Sequence, residues 1–88
     1  MTSYTTYEKL RNMLWDVLVE HKNEWMTTRQ VTEALWAKNN SMSRPNRRWV
    51  RKHLQVLHKY GFVIQKEGKI GQISYGYYYK VDKNALKE

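Results

Sequence analysis

The 88-residue sequence predicts one α+β domain in which three helices are followed by a β-hairpin. Apolar residues recur at helical spacing as far as Tyr60, and from Phe62 the pattern changes to Tyr-, Ile- and Val-rich segments that favour strands. No linker, repeat or low-complexity segment interrupts residues 1–88, which are expected to form a single domain. The expected order is helix, short strand, helix, helix, strand, strand.

The first helix is expected over about residues 5–22. Thr5-Thr-Tyr-Glu8 fits a capping box, in which the hydroxyl and the carboxylate each accept a hydrogen bond from the other residue's amide. One apolar stripe follows at helical spacing, formed by Tyr7, Leu10, Leu14, Val17, Leu18 and His21.

The second helix is expected over about residues 28–38, after a short strand at Trp25 and Met26. Thr27-Thr-Arg-Gln30 is a second capping box. The inner face of this helix consists of Val31, Ala34 and Leu35. Asn39-Asn40-Ser41 is expected to end the helix, because Asn tolerates the left-handed backbone that stops helices.

The third helix is expected over about residues 43–60. Ser43 is the predicted cap, Pro45 is placed in the first turn, where its missing N–H costs nothing, and Gly61 closes the helix. The hairpin is expected over about residues 62–81, with its turn at Gly68-Lys-Ile-Gly71. The tail from Asp82 is expected to fray or to add a short helical turn.

The net charge of +8 is concentrated in the second half of the chain. Residues 1–37 hold four basic and five acidic side chains, whereas residues 38–88 hold twelve basic and three acidic ones. Six basic residues and no acid lie between Arg44 and Lys59. A solvated face normally mixes signs, because like charges repel, so this clustering indicates a polyanionic partner.

The third helix has two separate faces when its residues are placed at 100° intervals. The apolar face holds Trp49, Val50, His53, Leu54, Val56, Leu57 and Tyr60. The polar face holds Arg44, Arg47, Arg48, Arg51, Lys52, Gln55 and Lys59. The guanidinium group of arginine can donate two parallel hydrogen bonds to a phosphate or to the edge of a guanine. This property favours nucleic-acid binding over a merely solvated face. A helix lying on a membrane is less favoured, because so small a domain needs the apolar side as core.

The segment Val50-Arg-Lys-His-Leu54-Gln-Val-Leu57-His-Lys-Tyr-Gly61-Phe-Val63 resembles the recognition-helix-to-wing segment of winged helix-turn-helix regulators, the ArsR-like and MarR-like groups in particular. Trp25-Met-Thr-Thr-Arg-Gln-Val31 also fits the usual start of their second helix, so the resemblance covers about residues 5–81. It implies a winged-helix fold with residues 43–60 as the recognition helix and the hairpin as the wing.

The resemblance also implies which residues face DNA. Arg51 and Lys52 match the two DNA-facing positions, and Lys66 and Lys69 would lie on the wing. The chain departs from the family in starting the third helix early, so that residues 44–46 are expected to form either an extra helical turn or an extended turn before it. It also lacks both the cysteines of metal sensors and a proline-rich wing. The predicted DNA-binding residues are Arg44, Asn46, Arg47, Arg48, Arg51, Lys52, Gln55, Lys66 and Lys69.

The expected function is sequence-specific binding of double-stranded DNA by a small transcription regulator. The alternative is a winged-helix module that binds protein within a replication or transcription assembly, and RNA binding is a third interpretation because phosphate contacts do not distinguish the polymers. No nucleophile–base pair, phosphate loop or paired carboxylates indicate an enzyme. Neither a signal peptide nor a membrane span is evident, so a cytoplasmic or nucleoid-associated location is expected.

The remaining aromatic and histidine residues allow several interpretations. The histidines lack metal-ligand spacing, so neither a metal nor another cofactor is expected. Strand alternation puts Tyr75, Tyr77 and Tyr79 on one face and Tyr78 on the other, and covering the core is favoured over stacking bases. Trp15 and Trp36 lie off the core stripes, and they either pack under the N-terminal tail or form a homodimer interface, which is slightly favoured.

Overall fold

The computed structural model describes residues 7–38, 43–72 and 74–86. It confirms the α+β class and the predicted order of elements. These elements are α1 (Tyr7–Glu20), β1 (Met26–Thr27), α2 (Thr28–Lys38), α3 (Arg47–Lys59), β2 (Val63–Ile70), β3 (Ser74–Val81) and a 3₁₀ turn (Lys83–Leu86).

The first two helices lie close to their predicted positions. The α1 helix ends at Glu20, two residues before the predicted end, and its predicted cap at Thr5 lies outside the described residues. The start of α2 is the predicted capping box: the Thr27 amide donates to Oε1 of Gln30 at 2.9 Å, and the Gln30 amide donates to Oγ1 of Thr27 at 3.1 Å. The predicted stop at residues 39–41 also lies outside the described residues.

The α3 helix is shorter than predicted, and its cap is not Ser43. Residues 43–46 are not helical, and Pro45 is buried ahead of the helix. Asn46 is the cap: its backbone is extended, and its Oδ1 accepts hydrogen bonds from the amides of Arg48 at 2.8 Å and Trp49 at 3.4 Å. The prediction was wrong because two good capping residues lie close together, and a proline disfavours helical backbone in the residue before it.

The end of α3 lies one residue before the predicted one. Gly61 adopts a φ of 83°, which a residue with a Cβ rarely tolerates. Its amide donates to the carbonyl of His58 at 3.1 Å, and the Phe62 amide donates to that of Leu57 at 2.9 Å. These two bonds form a Schellman motif that satisfies the last carbonyls of the helix.

The three strands form one antiparallel sheet in the order β1-β3-β2. The predicted hairpin turn at residues 68–71 was wrong, because the ladder continues until Ile70 lies opposite Ser74. Gly68 and Gly76 lie opposite each other within the ladder. A Cβ on Gly68 would lie 3.0 Å from the Tyr78 ring, so this glycine makes room for a side chain and does not form a turn.

The core lies between the three helices and one face of the sheet. Its buried residues are Leu14, Val17, Leu18, Met26, Val31, Leu35, Val50, Leu54, Val63, Tyr79 and Val81. Two residues predicted for the apolar face of α3 are not part of it, since Val56 is 40% exposed and Tyr60 is 69% exposed. Val56 lies at the margin of the apolar arc, and Tyr60 follows the last residue of the helix.

Candidate nucleic-acid interface

The outward face of α3 presents only basic and amide side chains. Its exposed residues are Arg47, Arg48, Arg51, Lys52, Gln55, His58 and Lys59. In the described part of the chain, the ion pairs are instead those of His21 with Glu24, Lys38 with Glu20 and Arg44 with Glu33. The positive charge of this face is therefore not neutralised by a carboxylate of the described chain, which leaves it available to an external anion.

A groove lies between the N-terminal half of α3 and the hairpin, and we call it the α3–hairpin groove. It encloses about 550 Å³. Its walls come from the start of α2, from α3 and from the end of the hairpin. The residues that define it are Thr28, Arg29, Arg47, Arg48, Arg51, Tyr75, Tyr77 and Tyr79. The groove thus brings arginines and tyrosines together from three separate elements.

Tyr79 forms part of the groove wall although its side chain belongs to the core. Only 1% of the residue is exposed, and its buried hydroxyl has no hydrogen-bond partner among the described residues. Burial raises the pKa of this phenol, Tyr77 raises it further, and the positive charge of Arg51 partly offsets both effects. Arg51 therefore acts electrostatically on the buried phenol of a residue that lines the groove.

Arg29 is a basic residue of this region that the sequence interpretation did not include. It belongs to the first turn of α2, and it lines both the α3–hairpin groove and a second depression shared with Arg44, Asn46 and Arg47. The capping box that opens α2 was the available signal, because it fixes Arg29 beside the helix N-terminus. Only the packing of α2 on α3 brings it next to the α3 arginines.

Two predicted site residues precede α3. Arg44 pairs with Glu33 of α2, and its guanidinium lies 5.8 Å from the centre of the Trp36 ring. Its assignment to the outward face of the third helix was wrong, because that helix begins only at Arg47. The Asn46 side-chain oxygen caps the helix, so it already accepts hydrogen bonds within the protein.

The two predicted hairpin lysines lie on opposite faces of the sheet. Lys69 lies opposite Tyr75, on the face shared with Tyr77 and Tyr79, and Glu67 also lies on that face. Lys66 lies opposite Tyr78 on the other face. Its Nζ is 4.5 Å from the centre of the Trp25 ring, which is a cation–π distance. The structure therefore groups Lys69 with the tyrosine face and separates Lys66 from it.

The α3 side chains that pack toward α1 form an aromatic stack. The His53 ring stacks on Trp49 with centroids 5.4 Å apart, and Trp49 stacks on Tyr7 at 5.9 Å. Burial lowers the pKa of His53, and the positive charge of Arg11 acts in the same direction.

Within residues 7–38, 43–72 and 74–86, no group of His, Cys, Asp or Glu could hold a metal ion.

The two tryptophans predicted for a homodimer interface both contact their own chain. Trp15 is half-buried and meets the edge of Phe62 at a centroid distance of 5.8 Å. Trp36 is half-buried beneath Arg44. The alternative that they pack under the N-terminal tail lies outside the described residues, which begin at Tyr7.

No protein-family model, curated protein or solved structure matches this chain. Among the helices that the structure describes, none combines the length and the apolar character needed to cross a membrane.

Proposed function

We propose that the chain is a winged helix-turn-helix domain that binds double-stranded DNA sequence-specifically and acts as a small transcription regulator. The order of elements and the β1-β3-β2 sheet are compatible with this proposal. The observation that carries it is the outward face of α3, where every charged side chain is basic and exposed. A cytoplasmic or nucleoid-associated location follows from the proposal.

In this proposal, α3 lies in the major groove and the hairpin lies against the neighbouring backbone. Arg47 and Arg51 belong to the N-terminal half of α3, the part that reaches base edges in helix-turn-helix docking, and their forks can bond two acceptors of one guanine. Lys69 carries a compact charge that suits a phosphate oxygen. The arginines are therefore proposed to read bases and Lys69 to contact the backbone.

The proposal is tested by selecting bound duplexes from a random pool and measuring variants against single-base changes in the selected site. Arg51→Ala should cost about 1–3 kcal/mol on that site and relax the preference at one base pair, whereas Lys69→Ala should weaken all sequences alike. Lys22→Ala, which removes an exposed charge after α1, is the matched control and should leave binding unchanged. If Arg51→Ala lowers affinity uniformly, α3 contacts phosphate without reading sequence.

A protein-binding module is the second candidate function, and one observation favours it. Tyr60, Phe62 and Ile64 are 69%, 45% and 40% exposed around the junction of α3 and β2, where a partner could cover them. Weak retention on heparin would support this candidate over DNA binding.

RNA binding is tested by adding an RNA duplex of the same sequence as competitor. A homodimer through Trp15 or Trp36 is also carried as a proposal, and sedimentation of the protein free and bound to DNA tests it.

A further inference from the structure

Strand alternation predicts that Tyr75 and Tyr77 cover the core together with Tyr79, but they do not. They share one face of β3 with Tyr79, which is a core residue, yet Tyr75 is 75% exposed and Tyr77 is 44% exposed. Both line the α3–hairpin groove. Large aromatic side chains exposed beside a basic surface supply stacking area without contributing to the core.

The opposite wall of the groove supplies positive charge. Arg47, Arg48 and Arg51 project from α3, and Arg29 lies at the start of α2. Guanidinium forks on one side and tyrosine rings on the other match the two parts of a nucleotide. Arg29 and Arg48, which are not assigned to base reading, suit its phosphate, and the rings suit the face of its base. In an intact duplex, the base faces are covered by their neighbours, so only the phosphates could use this groove.

The groove has room for a group of nucleotide size. The groove volume of about 550 Å³ falls within the usual range for small-ligand pockets, about 300–1,000 Å³.

We propose that the α3–hairpin groove takes an unpaired nucleotide of a strand that continues from the duplex bound by α3, with its base stacked on Tyr75 or Tyr77. This inference rests on the proposed function, because the duplex must first be bound by α3. It adds a substrate class, namely DNA in which double-stranded and single-stranded segments meet.

The test compares DNAs that share one duplex and differ in their ends: blunt, with a short thymidine tail at the 3′ end, or with the same tail at the 5′ end. Fluorescence anisotropy should show about tenfold tighter binding to one of the tailed DNAs, as expected for one stacked base. The double variant Tyr75→Leu/Tyr77→Leu should lose this gain, measured as the ratio of its own affinities for the tailed and the blunt DNA. Tyr75→Phe/Tyr77→Phe retains both rings and should keep the gain.

The control variant is Tyr60→Leu, which removes an equally exposed tyrosine that does not line the groove, and it should keep the gain. Equal binding of tailed and blunt DNA by the wild-type protein overturns the inference and leaves the proposed function standing. The inference is also overturned, with the proposed function left standing, if the leucine double variant keeps the gain in affinity. A gain of the same size from a tail of abasic residues would overturn it as well, because contact with the backbone alone would then explain the effect. Failure to bind any of these DNAs overturns the proposed function itself.

Discussion

At the scale of single residues, His53 combines a titratable ring with a partly buried position. It stacks on Trp49 on the side of α3 that faces away from the basic residues, and Arg11 of α1 acts on it electrostatically. A charged imidazole there would lose hydration and lie near a positive charge, so the pKa of His53 is lowered from its ordinary value of 6.5. Folding therefore favours the neutral ring.

This lowered pKa makes stability depend on pH. At a pH well above 6.5, His53 is neutral in both the folded and the unfolded chain. As the pH falls, the unfolded chain binds the proton first, and the free energy of unfolding decreases until the pH passes the pKa of His53 in the folded chain. Urea titrations from neutral pH to about pH 5 should show this decline, and His53→Gln should remove part of it. An unchanged decline in His53→Gln would contradict this account.

At the scale of elements, the start of α3 decides which residues reach the outward face. The Asn46 cap places Arg47 and Arg48 in the first helical turn and leaves Arg44 in the preceding extended segment, paired with Glu33. A helix capped at Ser43 would include Arg44 in its first turn. The composition of the basic surface therefore depends on a single hydrogen-bonding side chain.

Removal of this cap should destabilise the free protein. Asn46→Ala leaves the amides of Arg48 and Trp49 without their side-chain acceptor, so chemical denaturation should show a loss of about 1 kcal/mol. Asn46→Asp retains an acceptor and should recover most of the stability. Ser43→Ala removes the cap expected from the sequence and should have little effect, and a larger loss for Ser43→Ala than for Asn46→Ala would refute the assignment.

The elements that could be predicted are those with local signals. The central part of the α1 stripe and the reciprocal Thr27–Gln30 cap are formed by residues a few positions apart, so spacing alone was sufficient. The two ends of the stripe were wrong, since Tyr7 is 65% exposed and His21 follows the last residue of α1. The hairpin turn could not be placed in this way. Gly68 looks like a turn residue in the sequence, but its role depends on the Tyr78 ring, which reaches it from the neighbouring strand.

At the scale of the whole molecule, folding joins residues from both halves of the chain. The sequence pattern predicted the outward residues of α3, because the helical period determines them. It did not predict that Arg29, from the acidic half, lies with them, or that Tyr75 and Tyr77 form the facing wall. Those juxtapositions depend on long-range packing of α2 and the hairpin against α3, about which the spacing of residues says nothing.

The resulting distribution of charge predicts a strong response of DNA affinity to salt. Seven exposed basic residues lie on α3, at the start of α2 or on the tyrosine face of the hairpin: Arg29, Arg47, Arg48, Arg51, Lys52, Lys59 and Lys69. If α3 and the hairpin together neutralise on the order of six phosphates, the slope of log affinity against log salt should be near −5, at about 0.9 per contact. Anisotropy titrations over a series of chloride concentrations measure this slope.

Variants identify which charges produce the slope. Lys69→Ala should make it shallower by about one unit, whereas Lys22→Ala, in the half of the chain that carries a net negative charge, should leave it unchanged. An affinity that does not change with salt would mean that these basic residues are not in contact with phosphate. Equal effects of the two lysine variants would mean that net charge alone, and not its concentration around α3, governs binding.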